Sequence, residues 1–445
     1  MPRSDLRPRL CHLALDPTYV RSQFPALAQQ VNGRPAVFLD APGGTQVPQR
    51  VIEAMTDYLT RSNSNSHGAF DTSRRSDKIL QQAHAAVADL LGCDAEEVVF
   101  GANMTTLTFA MSRAIGREIK PGDEIIVTNL DHDANVAPWR ALEEQGAVIR
   151  VADIRTEDCT LDIEGLLRLL NERTKLVAVG IASNSVGSIN DVAAITKAAH
   201  QVGALCYVDA VHYAPHGPID VREIGCDFLV CSAYKFFGPH VGALYGKAEH
   251  LERLRPYKVR PASDEIPDRW ETGTLNHEGL AGAAAAVDYL ADLGSRFGPG
   301  ADESKLSGEC SQRRRLLLAG MGAIQRYERE LAGQLIEGLL SIDGLRFYGI
   351  REASRFGQRV PTVSIRLDGR HPRAIAEHLG DQGIFVWDGN YYALGLSERL
   401  DVEASAGMVR IGLAHYNTTD EVGQVVDALS ALANKHGAVS IATGE

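Results

Sequence analysis

The sequence predicts an α/β protein organised on an open, mostly parallel sheet, followed by a smaller α+β region. Three observations carry that expectation. Short apolar runs at 97–100, 124–128, 176–181, 204–208, 227–231 and 241–245 alternate with helix-like stretches, the pattern of strands joined by helical crossovers. Several of these runs end in residues capable of chemistry, and in an open α/β sheet such residues gather outside the strand C-termini. With 445 residues, 44% of them hydrophobic and 23% charged, the chain can bury a large interior and is longer than one small core requires.

Composition narrows the function classes. A net charge of −12 argues against a general nucleic-acid binder, which needs a basic surface. No apolar run approaches the roughly 18 residues of a membrane span. The start of the chain lacks an apolar stretch followed by a small-residue cleavage site, so a cytoplasmic enzyme with no membrane partner is expected. The seven cysteines, Cys11, Cys93, Cys159, Cys206, Cys226, Cys231 and Cys310, form no paired motif and no metal-ligand spacing with histidine. Reduced thiols and no metal site are expected, with Cys206, Cys226 and Cys231 serving as small hydrophobes in apolar strands.

In chain order, residues 1–36 form an N-terminal arm whose amphipathic segment 19–27 packs across the body and joins the small domain. A large domain spans 37–294. It opens with a strand at 37–40 that runs into the turn 41–46, where Gly43 and Gly44 allow close approach of backbone to a ligand. The polar loop 62–70, containing His67, precedes a helix starting near Ser73; it reads either as an exposed connection or as a substrate-facing loop. The strand 97–100 feeds a small, polar turn, 101–106, at the N-terminus of an apolar helix. Backbone N–H groups and the positive end of the helix dipole make that turn an anion site, although simple N-capping needs no ligand.

The next strands each deliver polar residues. After 124–128 come Asp131, His132 and Asn135; after 176–181 come Ser183 and Asn184, then a helix over 192–202. The strand 204–208 ends at Asp209. The strand 227–231 leads through Ser232 to Lys235, before Gly238 and Pro239 turn the chain. An amine at the end of a core strand sits where charge is costly, so its pKa falls and neutral amine becomes available to attack carbonyls. Asp209, at the corresponding end of another strand, can face the same pocket.

Beyond 241–245 lie Arg269, Trp270, Glu271, Gly273 and Thr274, then an alanine-rich helix over 280–290. Residues 295–312 turn to Gly, Pro, Ser and charge and read as an insertion or linker, with Arg313, Arg314 and Arg315 as solvated surface. The small C-terminal domain, 313–445, is expected to hold a helix over 316–340, strands near 346–348, 361–366 and 384–386, a strand carrying Arg410, and a helix over 420–432.

Asp209-Ala-Val-His212 at one strand end and Ser232-Ala-Tyr-Lys235 at another resemble the fold-type I pyridoxal phosphate enzymes, and more narrowly the class V aminotransferase and cysteine desulfurase group. The resemblance extends from Tyr19 to Leu432. It implies a seven-stranded type of sheet, pyridoxal 5'-phosphate as cofactor, an amino acid as substrate, and a homodimer with shared active sites. Lys235 then forms the Schiff base, Asp209 keeps the pyridine nitrogen protonated, and His132 stacks on the ring. His212 and Ser232 also face the cofactor. Asn103, Met104 and Thr105 stand where the family holds phosphate with Gly-Thr-Thr, so one hydroxyl is missing. Asn184 matches a residue near the cofactor hydroxyl and the substrate carboxylate, and Gly273 and Thr274 match a pair reaching the neighbouring subunit's phosphate. Arg410 matches the arginine that grips the substrate carboxylate bidentately. His67 and Tyr392 complete the substrate side.

One departure decides the expected chemistry. Cysteine desulfurases carry a thiol on a loop of the form Arg-x-Gly-x-x-Cys, whereas this chain reads Trp387-Asp-Gly389-Asn-Tyr-Tyr392, with tyrosine in the cysteine's place. The chain is similar to the branch lacking the persulfide cysteine. The expected reaction occurs at Cα of an amino acid and cleaves a C–S bond by β-elimination. Transamination, epimerisation and oxidative decarboxylation use the same core residues, and a non-catalytic scaffold would not need them.

Overall fold

A computed structural model describes residues 15–298 and 310–441. Its larger sheet has seven strands in the order Val98–Gly101, Gly242–Gly246, Phe228–Ser232, Leu205–Asp209, Thr174–Gly180, Glu124–Thr128 and Val148–Ala152. Helical crossovers make the last five mutually parallel. Gly242–Gly246 runs antiparallel to both neighbours. The reason is chain length: the link from Ser232 to Gly242 is too short for a crossover, which takes a dozen or more residues. The central strands are buried on both faces, hence their continuous apolar runs.

Val148–Ala152 is not among the expected strands. It lies at the sheet edge with most of its residues partly or fully exposed, and Arg150 splits its apolar residues into pieces too short to stand out. Nor is the helix Gln49–Arg61 among the expected elements; only its Val51 and Tyr58 are buried.

A second sheet of four antiparallel strands follows the order Leu345–Tyr348, Thr362–Leu367, Met408–Gly412 and Trp387–Gly389. The expected strand at 384–386 does not join it. Ile384–Phe385 pairs in parallel with Val37–Phe38, and Val37 and Leu39 belong to the hydrophobic cluster of the C-terminal region. Residues expected to open the large domain are therefore packed into the C-terminal region.

The N-terminal segment touches both regions. Arg21 donates to the carbonyl of Tyr416 and to Glu421, while Phe24 meets Phe237, Tyr289 and Tyr416 edge-on. The helix His277–Phe297 continues past the expected end of the large domain, and the helix Gln312–Leu340 starts where the expected linker closes; residues 299–309 of that linker lie outside the described residues, as does Cys11. These two helices meet at glycines: a Cβ on Gly294 would strike the backbone of Leu316, and one on Gly320 would strike the carbonyl of Leu290. Among the described residues no helix is long and apolar enough to cross a membrane.

Candidate active site

Because parallel strands end together, Asp209, Gly180 and the residues after Thr128 arrive on one side of the large sheet, in a cavity of about 520 Å³. Lys235 enters from the short helical turn Ala233–Lys235 that follows its strand. Its Nζ donates to the carbonyl of Pro42, in the turn after Val37–Phe38, and lies 4.9 Å from the centre of the Tyr234 ring. Burial and the nearby Arg410 lower the amine to about 7, while Asp209 and Asp40 oppose the shift. Much of it is therefore neutral near pH 7.

Asp209 is buried and raised to about 6 by desolvation, against a hydrogen bond from the Val211 N–H at 2.8 Å and the charge of Lys235. His132 is lowered to about 4 by burial, Lys235 and Arg410, so its ring is neutral; Nδ1 accepts from the Ala134 N–H at 3.0 Å. Its face is stacked on Tyr392, with centroids 5.4 Å apart and planes inclined by 21°. His212 lines the same cavity and bonds Thr362 Oγ1 through Nε2 at 3.0 Å, and burial holds it well below its ordinary pKa.

Arg410 arrives from the other sheet. It is 4% exposed, and burial lowers it to about 10. Nη1 donates to the Asn184 carbonyl at 2.8 Å, the guanidinium carbon sits 4.3 Å from the centre of the Tyr391 ring, and Nε is buried without a partner. Asn184 Oδ1 is likewise buried and unpartnered, while its Nδ2 donates to the Tyr391 carbonyl at 2.9 Å. Tyr391 and Tyr392 both have left-handed backbone, φ 57° and 59°, and are pinned by the bonds Asp133 N–H to Tyr392 O, 2.7 Å, and Tyr392 N–H to Asn390 Oδ1, 3.0 Å.

At the start of the helix Met104–Gly116, Met104 and Thr105 line the cavity. Ser232 does not line it. Its Oγ accepts from the Met104 N–H at 3.1 Å and so ties the Lys235 strand to that helix. Asn103 caps the helix by accepting from Thr106 N–H at 2.9 Å, and Gly242 packs against its backbone with no room for a Cβ. His67, Gly273 and Thr274 lie on the exterior of the chain, away from the residues around Lys235; His67 borders a surface hollow with Asp77 and Glu271.

Two contributors were not anticipated. Asp131 lines the cavity and is pushed up to about 7 by burial and Asp209, though bonded by Thr128 and by Asn135. Asp40, two residues beyond the strand Val37–Phe38, does not line the cavity but is raised to about 6 by burial and acts on Lys235 through its charge. Both follow a strand end by two or three residues, which was the available signal. The Pro42 carbonyl has no signature in sequence.

The residues fit pyridoxal phosphate. An amine poised between neutral and charged, a carboxylate at the next strand end, a neutral imidazole face and a helix N-terminus whose Met104 and Thr105 line the cavity suit a planar cationic ring with an aldehyde and a phosphate. The unpartnered Asn184 Oδ1 and Arg410 Nε leave polar atoms open beside it.

Comparison with known proteins agrees with this arrangement. The family model for class-V aminotransferases matches residues 37–298 and 314–425. A probable cysteine desulfurase of Halalkalibacterium halodurans is 32% identical over 92% of this chain and 96% of its own length. A cysteine desulfurase of Pectobacterium atrosepticum is 31% identical over 93% of this chain and 97% of its own length. Among solved structures, the apo cysteine desulfurase of Thermococcus onnurineus superposes with a TM-score of 0.82 at 27% identity, covering 94% of this chain and 98% of that one. The cysteine desulfurase of Escherichia coli superposes with a TM-score of 0.78 at 26% identity over 94% and 98% of the two chains. With its seven-stranded sheet, its strand-end lysine and aspartate, and a match spanning both regions, this chain belongs to the class-V aminotransferase family.

Proposed function

We propose that the protein is a pyridoxal phosphate enzyme that cleaves the C–S bond of cysteine or a cysteine S-conjugate by β-elimination. Class-V enzymes depend on that cofactor, and the relatives named cysteine desulfurase cleave a C–S bond. The observation that carries elimination, in preference to sulfur transfer, is Tyr392: it occupies the cavity rim, and among the described residues no cysteine lines the cavity. Cys159, Cys206 and Cys231 are buried, and desolvation pushes each thiol up to about 12, leaving no thiolate near neutrality.

Lys235, Asp209, His132, His212, Met104 and Thr105 would hold the cofactor, which when bound supplies an electron sink conjugated to the substrate's Cα. Lys235 Nζ, unprotonated above about pH 7, takes the Cα proton. Asp209, ionised above about pH 6, holds a proton on the pyridine nitrogen. Arg410 has Nη1 committed to Asn184, so Nε and Nη2 remain to grip the substrate carboxylate. Asn184 steadies that fork through its carbonyl and the Tyr391 loop through its side-chain amide. A conjugate R–S–CH2–CH(NH3+)–COO− and water yield R–SH, pyruvate and ammonium. The test is product analysis with cysteine and S-alkyl cysteines: pyruvate and thiol in equal amounts support the reading, whereas alanine with a protein persulfide refutes it.

The same reading assigns the domain 37–294 to the cofactor and the domain 313–445, with the arm 1–36, to the substrate. It places the enzyme in the cytoplasm, in keeping with free cysteines. It also takes the protein as a homodimer, because Gly273, Thr274 and His67 sit outside their own chain's cavity, where a second copy can use them. Mixing a Lys235→Ala protomer with a Thr274→Ala protomer should then restore some activity, since one of the two sites escapes both lesions; a monomer in sedimentation would end the idea.

A further inference from the structure

Trp387 and Tyr392 are large aromatics left 48% and 72% exposed, and both line the cavity that holds Lys235. Apolar rings on a cavity rim lose water contact when a ligand in the cavity covers them. Trp387 stands directly opposite Arg410 in the antiparallel pairing of their strands. Residues so paired share a face of the sheet, with Cβ atoms about 5 Å apart. A ligand whose carboxylate is on Arg410 therefore has its side chain within reach of the indole.

The rings are also fixed in place. The indole lies against Gly43, where a Cβ would collide with Nε1 and Cε2, so only glycine leaves it that seat. The Tyr392 ring is stacked on His132, and its backbone is held left-handed by bonds to Asn390 and Asp133, a conformation that non-glycine residues adopt only when their surroundings insist. Charge does not compete at this rim: Asp388, between Trp387 and Gly389, is engaged by Arg373 at 3.1 Å.

We propose that Trp387 and Tyr392 form a rigid aromatic mouth that selects amino acids carrying an apolar, preferably aromatic, group beyond Cβ. The inference rests on the reading that Arg410 binds an amino-acid carboxylate, and it names the side chain that site prefers. For a sulfur substrate this is an S-aryl or S-benzyl conjugate in preference to free cysteine.

The test uses the holoprotein titrated with S-methyl-L-cysteine and S-benzyl-L-cysteine, followed by acrylamide quenching of tryptophan emission and by the visible absorption. Trp139 and Trp270 are buried, 0% and 6% exposed, so quenching reports Trp387. S-benzyl-L-cysteine should shield the emission and bind about tenfold more tightly, the scale of one aromatic contact. In Trp387→Ala and in Tyr392→Ala that ratio should fall toward one, and Trp387→Phe should restore most of it. Equal affinities in the unaltered protein, or a ratio that survives both alanine variants, overturn the proposal. Products keep the two readings apart: selective binding of the benzyl conjugate without benzyl thiol and pyruvate would defeat the C–S reading and leave the mouth standing.

Discussion

The large sheet and its connecting turns bring to the cavity groups whose protonation is displaced: Lys235 down to about 7, Asp209 up to about 6, Asp131 up to about 7. From the small sheet come long side chains, Arg410 at its floor and Trp387 at its rim, and the adjoining loop adds Tyr392. A lowered amine beside raised carboxyls suits proton transfer, whereas a guanidinium fork and exposed rings suit recognition. The contrast teaches that the two regions bring different chemistry to one cavity, ionisable groups from the first and a guanidinium with aromatic rings from the second.

Substitutions can break or sharpen that contrast. The largest effect belongs to Lys235→Ala, which should abolish turnover and the borohydride-reducible chromophore together; surviving turnover would remove the division of labour at its root. Asp209→Asn should retain cofactor, seen by absorbance, yet lose on the order of a hundredfold or more in kcat, because an amide cannot keep the ring nitrogen protonated. On the recognition side, Arg410→Lys should raise KM by roughly tenfold to a hundredfold with a smaller change in kcat, since a lysine cannot reproduce the fork. A collapse of kcat alone would place Arg410 with the chemical groups instead.

The amine offers a pH test. Neutral Lys235 is the attacking form, so attachment of pyridoxal phosphate to the apoprotein should accelerate as pH rises and level off above about 7; continued acceleration toward 10 would mean that burial does not depress the amine. The smallest effect is expected from the thiols. Replacing all seven cysteines with alanine or valine should leave the products unchanged, and loss of C–S cleavage in a folded variant would restore a sulfur-transfer mechanism.

Lys235 and Asp209 were legible because each terminates a continuous apolar run, and such runs lie side by side in a parallel core: Asp209 sits in register with Val230, on the strand that leads to the lysine. The tyrosine at position 392 was legible as a missing thiol, but its stacking on His132 was not, since partners across 260 residues depend on the loop's bonds to Asp133 and Asn184. Backbone acceptors such as Pro42 and the engagement of Ser232 with Met104 leave no residue pattern at all. The pairing of Ile384–Phe385 with Val37–Phe38 escaped for a related reason. A two-residue strand has too few side chains to declare its partner, and tertiary contact chooses it.

The glycine contact between the helices His277–Phe297 and Gln312–Leu340 bears on motion. With Gly294 against the backbone of Leu316 and Gly320 against the carbonyl of Leu290, the helices interlock main chain to main chain, and a side chain at either glycine would strike a peptide group. That crossing is a welded joint, not a hinge. Relative movement of the two helices at this crossing would first have to part the glycine backbones.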